Sequence, residues 1–158
     1  MKKSDLFYIW VFISSYLAGV VAYTLILLLL YDEKVSGWRQ LFMWTAPSFF
    51  TVTLLLFLLS ILLLKLMNKY FLWTQTLLFA LAAIVPVYSI PILSGFWNFT
   101  SIAFLFSPEG MLFYLFFFIS SLMSSYGVWI AHKRHSYKSF LIISFAVVMM
   151  FVIIAAWN

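Results

Sequence analysis

Five uninterrupted apolar runs bounded by charged or turn-forming residues dominate this sequence, at about Leu6 to Tyr31, Pro47 to Leu66, Phe71 to Leu93, Met111 to Ala131 and Phe140 to Trp157. A helix needs roughly 20 apolar residues to cross a bilayer, so each run is long enough to span. A chain inside lipid must satisfy every backbone N–H and C=O internally, which leaves only helices and closed barrels. Period-two alternation is missing, and blocks such as Leu25 to Leu30 and Leu54 to Leu64 are too long and too uniform for barrel strands. The sequence therefore predicts an all-α fold, a polytopic membrane bundle of five transmembrane helices. Composition closes the alternatives: 66% of the 158 residues are hydrophobic and 8% are charged, against about 45–50% and 25% in soluble domains. Nothing is left over for a water-soluble unit, and with no repeat and no Gly/Ser-rich linker, residues 1–158 read as a single membrane domain.

Local chemistry marks the helix ends. Ser4 and Asp5 precede the first run, Thr45 and Pro47 open the second, and Ser107, Pro108 and Glu109 open the fourth. These match a capping hydroxyl, a first-turn proline and an acid against the helix dipole. Lys2 and Lys3 ahead of an apolar stretch resemble a signal peptide, but the stretch of about 25 residues exceeds the roughly 7–15 of a cleaved signal, so it reads as a retained anchor. The turn at Met67 to Lys69 is short enough to make runs two and three an antiparallel hairpin, with Lys65 and Lys69 reaching to one membrane face.

Five crossings place the N-terminus, the second loop and the fourth loop on one side. That side carries Lys2, Lys3, Lys65, Lys69, Lys133, Arg134 and Lys138, and the other carries only Lys34 and Arg39. Basic residues in short loops concentrate on the cytoplasmic side, which predicts N-terminus in and C-terminus out. The net charge of +5 is then an orientation signal and a contact with anionic lipid, with Lys133, Arg134 and Lys138 as a cytoplasmic basic anchor and no role for nucleic acid. Aromatic residues near the run ends, among them Trp10, Trp38, Trp73, Trp129 and Trp157, fit the headgroup level.

The candidates for chemistry are few. No Asp, Glu, Lys, Arg or His falls in the middle third of any run, although such residues are what ion paths and proton relays retain. Cysteine is absent, which excludes disulfides, thiolate metal sites and palmitoylation. His132 and His135 could share a helix face, but zinc wants three or four ligands and the neighbouring cations oppose a metal. Asp32, Glu33 and Glu109 on the outer side fall short of the roughly six to eight oxygens of a calcium site. Phosphate-binding, zinc-protease and serine-hydrolase motifs are all missing, and no acid stands near the histidines to orient a serine's base. No metal, no cofactor and no catalytic activity is expected.

What remains is helix contact. Ser14, Ala18 and Ala22 form one row at fourfold spacing and Ser15 with Gly19 another, while Ser120 with Ser124 and Ser121 with Ser125 do the same in the fourth run. Small residues at this spacing let backbones approach, either within the bundle or against a second membrane protein or copy. Pro86 and Pro91 mark a possible hinge in the third run, since each removes a backbone bond and clashes one turn back. Residues 95–106 mix Phe and Trp with Asn98, Thr100 and Ser101, and read as interfacial or re-entrant; Asn98-Phe99-Thr100 is a glycosylation sequon that matters only in a eukaryotic secretory pathway. The expected function is that of a small plasma-membrane subunit, of bacterial inner-membrane type, with an accessory, regulatory or protective role exerted by binding other membrane components. The alternative is a small homo-oligomeric transporter or channel for a neutral or apolar solute, with the prolines along its path.

Overall fold

The computed structural model describes residues 3–35, 37–67, 71–93, 106–133 and 136–157. Among them the chain is all-helical: α1 (Lys3–Tyr31), α2 (Trp38–Pro47), a π-helical turn (Ser48–Thr53), α3 (Leu54–Leu66), α4 (Leu72–Ala82), α5 (Ile84–Leu93), α6 (Pro108–Lys133) and α7 (Lys138–Trp157). Five stretches are long and apolar enough to cross a membrane, the second running from α2 through α3 and the third from α4 into α5. Leu58, Leu62, Leu66, Ile142 and Phe145 are among many large apolar side chains exposed on the outside, which is compatible with a multi-pass membrane protein.

α1 and α6 form the centre. They pack antiparallel, with Gly19 against Ser120 and Val11 against Gly127. α7 lies parallel to α1, with the Phe7 and Phe140 rings edge to face at 5.5 Å and Trp10 Nε1 donating to Ser144 Oγ at 2.8 Å. α4 and α5 cover another side of α6, α3 pairs with α4, and the π turn rests on α5. The Phe57 and Phe79 rings stack at 4.0 Å, fixing α3 and α4 as an antiparallel hairpin. α6 is the most enclosed stretch, 56% buried, and α7 the least, at 11%.

This up-and-down order sorts the charges. Lys65, Lys133 and Lys138 lie at the bundle end that holds the start of α1, while Lys34 and Arg39 lie at the opposite end.

The interior has three layers. Near the end of Lys133, Phe7, Val11, Phe57, Phe79, Val128, Ile130 and Phe140 form one core cluster. In the other half, Tyr16, Val20, Phe49, Val87, Phe113, Phe116 and Phe117 form a second. Between them on α1 and α6 lie the buried Ser14, Ser15, Ser120, Ser121, Ser124 and Ser125. Every buried polar side chain among the described residues is neutral.

Two helix ends differ from the sequence expectation. The second spanning stretch starts at Trp38, so Thr45 and Pro47 lie inside it. α1 is already helical at Lys3, which puts Ser4 and Asp5 within its first turn. α6 opens as expected at Pro108, where Ser107 Oγ accepts the Gly110 N–H at 3.1 Å.

Candidate functional site

The small-residue rows converge between α1 and α6. Ser14, Ser15, Ala18 and Gly19 are buried and Ala22 is half-buried; Ser120, Ser121, Ser124 and Ser125 on α6 are fully enclosed. A Cβ built on Gly19 would run into Ser120 Oγ and stand 2.8 Å from the Phe116 carbonyl oxygen, and one on Gly127 would stand 2.6 Å from a Val11 methyl. Gly19 thus lets the α1 backbone approach that of α6, while the missing side chain at Gly127 makes room for Val11 and the Phe140 ring. Ser14 turns back on its own helix, donating to the Trp10 carbonyl at 2.7 Å. The hydroxyls of Ser15, Ser120, Ser121 and Ser124 make no hydrogen bond. Weak Cα–H···O contacts are what so close a helix pair offers such oxygens.

The Ser121–Ser125 row leads to α4. Gln75, fully buried, donates through Nε2 to the Ser125 carbonyl at 2.9 Å, and the Thr76 and Ser125 hydroxyls lie 2.9 Å apart. The Gln75 carbonyl oxygen has no partner. Apart from the half-buried Ala22, the named rows are thus enclosed by helix contacts within one chain.

The possible hinge is a break in two facing elements. α4 ends at Ala82 and α5 begins at Ile84, two residues before the buried Pro86, whose ring excludes the carbonyl four residues back, that of Ala82. Pro91 lies in the last turn of α5. Against this break packs the π turn after Pro47. Thr45 donates to the Leu41 carbonyl at 2.8 Å and so accepts from the Tyr16 hydroxyl at 2.8 Å, pinning the end of α2 just before the turn to α1. Thr51, Ser48 and Thr53 donate to the carbonyls of Pro47, Trp44 and Ser48, adding side-chain hydrogen bonds along the distorted helix.

At the end of Lys133, Lys65 approaches His132 closely enough to act on it electrostatically, and Lys133 and Lys138 are exposed. Arg134 and His135 lie outside the described residues, as do Lys2, Lys69, the sequon Asn98-Phe99-Thr100 and most of the 95–106 segment. Among the described residues no group of three or more His, Asp or Glu gathers as a metal site would.

Sequence reasoning did not anticipate the Gln75–Ser125 clamp, the Trp10–Ser144 and Tyr16–Thr45 bonds, or the π turn. One signal was present: Gln75 is a lone amide inside an apolar run. A cleft of about 120 Å³ at the end of Lys34, between the last turns of α1 and α7, was also unforeseen.

No family model, curated protein or solved structure matches this chain.

Proposed function

We propose that this is a small multi-pass plasma-membrane protein, of bacterial inner-membrane type, with its N-terminus in the cytoplasm and its C-terminus outside. It acts as an accessory, regulatory or protective subunit by binding another membrane component, and it does no catalysis of its own. The observation that carries this reading is the filled interior. Phe49, Phe57, Phe79, Phe113, Phe116, Phe117 and Phe140 are fully enclosed, and the polar layer between them is neutral and taken up by helix packing. Among the described residues, what the molecule has to offer a partner is its lateral surface. Since the serine and glycine rows are used inside, that surface falls to the exposed sides of α3 and α7, the latter held chiefly by α1.

Purification in mild detergent followed by identification of co-purifying proteins tests it. A stoichiometric partner, lost on changing an exposed residue such as Phe145→Ala, is expected; a protein that purifies alone as a monomer overturns the reading. One observation favours the alternative of a homo-oligomeric transporter or channel for a neutral solute: the π turn and the proline-marked break lie against each other, and such irregular helices line sites in many carriers. Liposomes holding the protein would then move a solute at a rate altered by Pro86→Ala. Inert liposomes over a broad solute panel decide against it.

A further inference from the structure

The cleft between the last turns of α1 and α7 has an apolar floor and a charged mouth. Leu25 and Leu28 of α1 and Ile154 of α7 line it, Trp157 closes one side, and Glu33 with Lys34 lines the rim. The rim is set by a turn. Asp32 adopts a positive φ of 51°, and the Glu33 N–H reaches back to the Leu27 carbonyl at 3.4 Å, so the chain folds over the end of α1 instead of leaving it. Lys34 Nζ donates to the Trp157 carbonyl at 3.4 Å, which ties the rim to the end of α7.

We infer that this cleft seats one phospholipid with a primary-amine headgroup, of the phosphatidylethanolamine type, in the outer leaflet. The inference rests on the membrane placement proposed above. From Thr24 to Tyr31, at about 1.5 Å per residue, the slot descends on the order of 10 Å from the helix end, a depth that takes the upper part of an acyl chain. Its walls take hydrocarbon, the Lys34 ammonium takes the phosphate, and the Glu33 carboxylate accepts from the headgroup amine. The two charges select together. An anionic glycerol headgroup satisfies Lys34 but offers Glu33 no cation, and choline brings a cation with no N–H to donate. A lone hydrocarbon chain would leave both charges unused.

The test uses the full-length protein in bilayers of equal phosphatidylethanolamine, phosphatidylglycerol and phosphatidylcholine. The membranes are first washed with alkaline carbonate, then extracted gently, and the retained lipids are weighed on the intact protein by native mass spectrometry. One phosphatidylethanolamine is expected in preference to the other two. Glu33→Gln should reduce its preference over phosphatidylcholine about two- to fivefold, the range of a partly exposed ion pair, and Lys34→Ala should lower retention of all three lipids. Leu28→Trp fills the slot and should abolish retention. Because Leu28 is 40% exposed, that variant changes a surface wall and leaves both core clusters intact, and the two rim variants read the same site without adding bulk. Equal retention of the three lipids, or preference unchanged in Glu33→Gln and Lys34→Ala, overturns the lipid seat alone. Release of the protein by carbonate overturns the membrane placement and the seat together.

Discussion

Gly19 sets how near α1 and α6 come, because any side-chain carbon there meets both Ser120 Oγ and the Phe116 backbone carbonyl. The hydroxyl can rotate away, but the carbonyl cannot without moving α6. Gly19→Ala is therefore expected to destabilise the bundle by about 1–3 kcal/mol, the usual cost of overpacking a close contact, seen as a lower Tm in detergent. Ser120→Ala placed on top should recover part of the loss by removing the nearer atom. The serines follow a different rule. Ser15 and Ser124 are buried without a hydrogen-bond partner, and deleting an unsatisfied polar group removes a penalty of about 1–3 kcal/mol, so Ser124→Ala should leave Tm unchanged or raise it. Gln75→Leu breaks a bond to the Ser125 carbonyl and should cost about 0.6–1.7 kcal/mol, the range for polar contacts between membrane helices. If Ser124→Ala proved the more damaging of the two, the serine layer would be held by hydrogen bonds and not by close approach. The rows themselves were legible in the sequence because fourfold spacing is a property of one helix. The clamp from Gln75 was not, since its partner lies 50 residues away and is chosen only when α4 docks on α6.

At the scale of elements, the prolines show where sequence rules stop. Proline at the first helical position is favoured because its missing N–H costs nothing there, so Pro47 read as the start of the second run. The helix instead begins at Trp38 and carries Pro47 inside it. The reason is the composition of α2: Arg39, Gln40 and Met43 face out while Leu41 and Thr45 are buried. This amphipathic turn is too polar to register as a spanning run. The π turn and the hydroxyl donors Ser48, Thr51 and Thr53 then serve carbonyls around Pro47. Pro86 acts as expected, one turn upstream of its own position: the helix breaks at Ala83, and the Ala82 carbonyl is the one its ring displaces. In Pro86→Ala the new N–H can reach that carbonyl, and α4 should continue into α5. Hydrogen exchange at residues 83–85 should slow, and the new amide at 86 should itself be protected. Exchange as fast as in a frayed turn would show that packing against the π turn, and not the proline, breaks the helix.

Across the whole molecule, the count and alternation of the helices were readable from hydropathy and from where bases fall, while the packing order was not. Each run is apolar on nearly every side, so none announces which face turns inward or that α6 lies at the centre and α7 at the edge. Only the three-dimensional pairing of Gly19 with Ser120, Gly127 with Val11 and Trp10 with Ser144 fixes that order. The same pairing makes the proposed topology a strict one. Because α1 runs against α6 and with α7, Lys65, Lys133 and Lys138 stand at one end and Lys34 and Arg39 at the other, so no single helix can invert without breaking its core contacts. Orientation must then be decided for the bundle as a unit, by the side on which the basic end is retained. A reporter fused after Asn158 that works only in the cytoplasm should stay silent, and one that works only outside should be active. Replacing Lys65, Lys133 and Lys138 with Gln while adding lysines between Asp32 and Arg39 should shift activity between the two reporters, in step and without a mixed state of single misplaced helices. A cytoplasmically active reporter on the unaltered chain would refute the proposed orientation: with five spans it puts Lys133 outside, and with Lys133 kept in the cytoplasm it removes α7 as a span.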